Sequence, residues 1–390
     1  MRSTMGRGGE SSEPTGLKAI FAKTPIQLGG LLSGSDAALE ERNTWSEVRN
    51  RKDGEGDRKT QNTVSLDADG REKVYVLLKR WGAKDGAAWR TLALTAVLWA
   101  GAVGWLAATH SAPAVLAVAA CFVRCFMSLH DACHASYFES PEANARLAAV
   151  MQCFGGYEWR TWRRTHNHHH AHLGDDSVAD MSLTVWFSEA EVARWGWPAR
   201  ALYRLIRDPL LFFPLASAWV FLLSRPVTQL RARFVVPAAL YALCGGTTAG
   251  LYLVGGWLGG IVGLALFHLQ HQCNTPYRTS HAAHSFIDAG MRGSTHLQVG
   301  FPLTLVTLGI EFHHIHHAST RVPCYHLSAC HAEGEAQGLW DSAGVNQVGP
   351  ARALKSMFHT LFKGDLKVSD GDRDPRFVSF WPYSALGLQD

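Results

Sequence analysis

At 390 residues and a formal charge of +4, from 37 basic and 33 acidic side chains, the chain lacks the basic excess of a nucleic-acid binder. Its eight cysteines include no C-x-x-C pair and several sit in or beside apolar runs, so they read as buried reduced thiols rather than a zinc motif or disulfide framework. Two counts depart from the ordinary: 20 histidines and 14 tryptophans, in a chain whose 47% hydrophobic content is unevenly spread.

Residues 1–72 are rich in Gly, Ser, Glu, Arg and Asp without sustained apolar periodicity, and read as a disordered segment. Arg2, Arg7, Lys18 and Lys23 with several serines make it a candidate targeting region. Against a transit peptide stand Glu10 and Glu13, and no secretory apolar core is present. From Thr91 to Val123 there is no Asp, Glu, Lys or Arg, with a break near Thr109–Pro113. A second charge-free stretch runs from Phe234 to Tyr277, with glycines at 255, 256, 259 and 260 as its expected break. A bilayer core takes roughly 20 apolar residues per helix, so each stretch reads as a helical hairpin.

Arg124, near the exit of the second span, is expected to snorkel towards the headgroups. Arg71, Lys73, Lys79, Arg80, Lys84 and Arg90 precede the first span, and Arg204, Arg207, Arg225, Arg231 and Arg233 precede the third. The hairpin loops carry no Lys or Arg, which puts both termini and the middle segment on the cytoplasmic (or stromal) side. Leu210 to Leu223 is apolar but too short for a comfortable span, and is read as interfacial or re-entrant. Ser188 with Glu191 forms a capping-box pattern just upstream.

Four histidine groups follow. His130-Asp131-Ala132-Cys133-His134 leaves the second span with two imidazoles at i and i+4, on one helix face. His166-Asn167-His168-His169-His170-Ala171-His172 contains H-x-x-H-H, as does His313-His314-Ile315-His316-His317. Gln270-His271-Gln272 ends the fourth span. A lone H-x-x-x-H is more often two ordinary histidines, and His271 alone would mean little. Two H-x-x-H-H patterns are another matter, because chance gives roughly 0.05 per chain at this histidine content. On the four-span reading all four groups fall on one side of the membrane.

Imidazole suits zinc, copper, nickel and iron. No H-E-x-x-H supplies a zinc catalytic glutamate, and no Glu-x-x-His pair matches the soluble di-iron bundles. The candidate histidines suffice for two metals, and the lack of an accompanying thioether or thiolate set favours iron over copper. A redox metal at a membrane surface implies oxidative chemistry on a lipid-soluble substrate. A carrier or sensor that merely binds iron is a rival reading. It would place ionisable residues inside the spans, where only Arg124 and His268 occur.

The order HDACH, W-R-x-x-H-N-H-H-H, Q-H-Q and G-I-E-F-H-H-I-H-H resembles the integral-membrane fatty acid desaturases, most closely the acyl-lipid branch with omega-6 and omega-3 enzymes. Arg321-Val322-Pro323-Cys324-Tyr325-His326-Leu327 is also similar to that branch. The resemblance covers roughly residues 75 to 365, implying a membrane desaturase domain over 73–365 and a C-terminal tail over 366–390. It implies an all-α fold: four transmembrane helices as two hairpins, with a cytoplasmic helical cap carrying a histidine-rich di-iron site. The implied ligands of two iron ions are His130, His134, His166, His169, His170, His271, His313, His316 and His317, with no catalytic residue beyond them.

Under that resemblance, Asp131 and Asp180 are candidates to hold the outer nitrogens of ligand histidines, and His168, His172 and His314 become spares at the periphery or surface. Trp159 and Trp162 are expected as interfacial anchors or channel walls. The implied reaction is dioxygen-dependent insertion of a double bond into a membrane lipid's acyl chain. Hydroxylase or ketolase chemistry on an acyl, sterol or carotenoid substrate is the alternative. The His-Pro-Gly-Gly signature of a fused haem domain is absent, so electrons are expected from a separate carrier of cytochrome b5 or ferredoxin type. The expected location is a multi-pass integral protein of the endoplasmic reticulum or plastid membrane in a eukaryote, or of the inner membrane in a bacterium. Cys273-Asn274-Thr275-Pro276-Tyr277-Arg278 departs from the acidic, aromatic stretch usual after Q-H, and His281, His284 and His296 are extra histidines without a role in the pattern.

Overall fold

The computed structural model describes residues 66–175, 194–223, 230–272 and 284–363. Most of the 1–72 segment, the 366–390 tail, Asp180, His281 and the Ser188–Glu191 pattern lie outside the described residues. The first half forms α1 (Ala68–Arg80), α2 (Asp85–Thr109), α3 (Ala112–Cys133), α4 (Pro141–Gly155), α5 (Trp159–His172), α6 (Trp197–Arg207) and α7 (Pro209–Ala218, continued by a π turn at Trp219–Leu223). Then follow α8 (Leu230–Cys244), α9 (Gly246–Gln272), α10 (Phe286–Arg292), β1 (Thr295–Leu297), α11 (Leu303–Thr307), α12 (His313–Ala318), α13 (Cys324–Ala336), α14 (Leu339–Ser342), β2 (Asn346–Val348) and α15 (Pro350–Lys363). The expected all-α fold therefore carries one small exception, a parallel β1–β2 ribbon pairing Thr295 with Asn346 and Leu297 with Val348.

Among the described residues, three helices are long and apolar enough to cross a membrane: α2, the Ala112–Cys133 helix α3, and Gly246–His271 within α9. Of their apolar windows, that of α3 is 67% buried, against 22% for α2 and 28% for α9. So α3 is the central post, and its neighbours turn apolar side chains outward, including Leu94, Val97, Trp105, Val254 and Val262. Such faces are costly in water and at home in hydrocarbon. The first apolar stretch breaks where expected: His110 adopts a left-handed conformation (φ 48°) and Ser111 starts α3 with proline in its first turn.

The second stretch breaks elsewhere. The turn falls at Gly245 (φ 86°), a left-handed position glycine takes without steric cost. The glycines expected to break it stay inside α9 because α3 needs the room. A Cβ on Gly255 would come within 2.7 Å of Val118, and one on Gly259 within 2.8 Å of the Ala119 carbonyl. The other half of the stretch, α8, has only 15 residues, includes Arg231, Arg233 and Pro237, and spans about 22 Å. That falls short of a ~30 Å hydrocarbon core. The described residues thus supply three clear spans where four were expected.

Arg124 also departs from expectation. It is 3% exposed and turned inward, with Nε donating to Thr95 Oγ1 at 2.9 Å and Nη1 to the Leu305 carbonyl. Those acceptors on α2 and α11 hold it within the protein, so it does not reach for headgroups along its own helix. The Leu210–Leu223 run forms α7 and its π turn, docked on α9 where Ser217 donates to the Trp257 carbonyl and Trp257 Nε1 to that of Pro214. All described cysteines are free thiols.

Candidate metal centre

The histidines arrive on four separate elements. His130 sits in the last turn of α3 and His134 caps its C-terminus. α5 is started by Glu158, whose carboxylate accepts from Arg160 N and Thr161 N, and it turns His166, His169 and His170 to one side. His271 lies one residue from the end of α9, and α12 carries His313, His316 and His317. The approach of α12 requires Gly290 on α10, where a Cβ would come within 2.8 Å of Ala318 N.

Their nitrogens converge in two adjoining groups. His130, His134, His166, His170 and His316 offer one donor atom each, all within 4.8 Å of one another, and His169, His271 and His317 do the same. All eight are buried. His313 joins the second group through His271, with Nε2 atoms 2.9 Å apart, without sharing its common point. The groups adjoin where the His170 and His317 rings stack at 3.9 Å. The structure therefore brings together all nine sequence-derived candidates, while Asp180 lies outside the described residues.

The nitrogens pack in a way hydrogen bonds alone cannot satisfy. His166 Nε2 lies 2.8 Å from His130 Nε2 and 3.0 Å from His170 Nε2, which in turn is 3.1 Å from His316 Nε2. One imidazole nitrogen holds either a proton or a lone pair, so it cannot answer two such neighbours. His317 Nε2 is buried without a hydrogen-bond partner. Burial, reinforced by neighbouring imidazoles, pushes His134, His166, His170, His316 and His317 well below the ordinary histidine range. Neutral rings with lone pairs facing a common point are what a nitrogen-binding cation requires, so the donor set fits a metal.

The family model described as "Fatty acid desaturase" matches residues 104–347, a stretch that contains every one of these histidines. The chain belongs to the fatty acid desaturase family. It is 28% identical over 246 residues to a fatty acid desaturase of Bacillus subtilis, covering 57% of this chain and 68% of the relative. It is also 25% identical over 218 residues to a beta-carotene ketolase of Paracoccus, covering 54% and 74%. Membership in this desaturase family makes the chain an oxidoreductase and, with its three apolar helices, a membrane protein. It also makes iron the metal to consider for the two groups.

For a desaturase-family site, the support around the rings is as informative as the rings. Asp131 Oδ1 lies 2.9 Å from His130 Nδ1, so the proton stays there and Nε2 keeps its lone pair. The other oxygen of Asp131 accepts from Cys324 N at 2.5 Å. The RVPCYHL stretch thereby gains a physical role, extended by Tyr325, whose hydroxyl donates to the Tyr137 carbonyl at 2.8 Å. The Gly293 carbonyl does for His271 Nδ1, at 3.1 Å, what Asp131 does for His130. Backbone partners such as Gly293 O and Cys324 N carry no side-chain signal, so no sequence pattern could have named them.

Two further expectations change. Trp159 and Trp162 are not interfacial anchors: Trp159 is buried beneath the guanidiniums of Arg160 and Arg163, and Trp162 stacks on His166 at 4.7 Å. His314 is not at the surface, because it is fully buried against Trp340, with Nε2 3.3 Å from His331 Nδ1. His168 and His172 stack on each other at 4.3 Å, and His284 Nε2 lies 3.0 Å from the Leu173 carbonyl.

Proposed function

We propose that this chain is a non-haem di-iron desaturase that introduces a double bond into the acyl chain of a membrane lipid. The observation that carries the reading is the pair of adjoining imidazole groups at the ends of long apolar helices. In this reading His130, His134, His166, His170 and His316 hold one iron, and His169, His271, His313 and His317 hold the other. When bound, the iron pair supplies the dioxygen chemistry that removes two neighbouring hydrogens from an unactivated chain and leaves dioxygen as water. The protein's own residues keep the site ready. Burial holds His134, His166, His170, His313, His316 and His317 well below the ordinary histidine range, Asp131 and the Gly293 carbonyl hold two outer protons in place, and Trp162 fixes the plane of His166. The two electrons required come from a separate cytochrome b5 or ferredoxin-type carrier. In this reading α8, although shorter than an ordinary span, serves as the fourth crossing against α9, so that all histidine groups share the cytoplasmic side in an endoplasmic reticulum, plastid or bacterial inner membrane.

The Paracoccus relative favours a second reading, oxygen insertion into a carotenoid. Both outcomes start from the same hydrogen removal, so product analysis separates them. The test is a lipid profile of a desaturase-poor yeast expressing the chain, beside His316→Ala, with iron measured in both purified proteins. New double bonds lost in His316→Ala support desaturation; hydroxylated or keto products move the assignment. Folded wild-type protein without iron would overturn the di-iron reading.

A further inference from the structure

Away from the histidines, a cavity of about 350 Å³ opens between α2, α3 and the α11 segment. Two arginines, Arg90 and Arg124, are among the residues that line it, and no acidic residue is. Arg124 is 3% exposed, and its Nε and Nη1 are taken by the neutral acceptors on Thr95 and Leu305. Among the described residues its third nitrogen, Nη2, has no acceptor, nor has the exposed Arg90. A buried cation with only neutral partners is unfavourable, and an anion in the cavity it shares with Arg90 relieves that. The rim says what else that anion carries. Phe301 is 83% exposed and Leu94 is 44% exposed, so the mouth is apolar on its outward side. A free inorganic ion has no use for such a rim, whereas a phosphate attached to hydrocarbon does.

The geometry points to a phospholipid site, with Arg90 and Arg124 Nη2 holding the phosphate diester and Leu94 and Phe301 lying along an acyl chain. The inference goes beyond the proposed reaction and shares with it only the membrane setting of α2 and α3. It needs neither metal nor turnover, so its failure leaves that reaction standing. The shared chemistry is a phosphate oxyanion, which free phosphate could also supply. Native mass spectrometry of the full chain in detergent, titrated with dioleoyl phosphatidylcholine, dioleoylglycerol or inorganic phosphate, separates the sources. Phosphatidylcholine should be retained about tenfold better than dioleoylglycerol, as a charge-assisted contact warrants. Arg90→Ala should lower that retention about tenfold, while Arg146→Ala, at an exposed position on α4, leaves it unchanged. Arg124→Lys, which keeps the charge but loses Nη2, should behave like Arg90→Ala; if it does not fold, Arg90→Ala decides alone. Equal retention of dioleoylglycerol, or no effect of Arg90→Ala, overturns the site. Inorganic phosphate that binds with the same Arg90 dependence and displaces the lipid overturns its assignment to a lipid.

Discussion

Two clusters of buried imidazole lie side by side in this chain and differ in kind. In the nine-histidine cluster, Nε2 atoms crowd to 2.8–3.1 Å around shared points. In the second, His296, His314 and His331 pack ring against ring, with His296 and His331 centroids 4.3 Å apart and His331 stacked parallel to Trp340. There the single close nitrogen pair, His331 Nδ1 to His314 Nε2 at 3.3 Å, is one donor and one acceptor and satisfies itself. Among the described residues, only the first cluster brings three or more ligand atoms to a common point. Convergence of lone pairs, not the number of histidines, separates a metal site from a polar core.

The sharpest way to break that contrast is His170→Ala, which removes the ring that touches both groups. Iron content by plasma emission spectroscopy and activity should both fall about 100-fold or more, and retention of two irons would refute the assignment. Asp131→Asn should act less severely, weakening metal affinity about 10- to 100-fold in a chelator competition, because His130 is kept but its tautomer is no longer held. His314→Phe probes the other cluster. It should leave iron stoichiometry intact while costing about 1–3 kcal/mol of stability, seen as a lower unfolding midpoint, since His331 Nδ1 loses its partner. The smallest effect is a pH trend. Burial holds His296 and His331 at about 4. Above pH 6.5 both rings are neutral whether the chain is folded or not; between 6.5 and 4 the unfolded chain takes protons that the folded one refuses. The thermal midpoint of detergent-solubilised protein should therefore decline on acidification from pH 7 to pH 5, less steeply in a His296→Phe, His331→Phe variant.

What was legible in the sequence was whatever repeats at helical spacing. The i, i+3, i+4 pattern of His313, His316 and His317 survives directly on α12, and the break at Thr109–Pro113 is announced by local turn chemistry. What was not legible depends on partners far along the chain. Gly255 and Gly259 read as breakers until Val118 and Ala119 are seen against them. Arg124 reads as a snorkelling side chain until Thr95 and the Leu305 carbonyl supply acceptors inside the protein. His314 reads as a spare until Trp340 and His331 close around it, because composition shows that a histidine is present but not what surrounds it.

The carboxylate of Asp131 reaches a backbone N–H that lies 193 residues later in the chain. A ribosome making this protein therefore releases the first histidine group long before its orienting contact exists. His130 and His134 emerge with neither Cys324 to hold Asp131 nor His316 to complete their ring of nitrogens. In the di-iron reading neither group of imidazoles is complete until the last box has been synthesised and folded back, so a prematurely terminated chain lacks His316 from one group and His317 from the other.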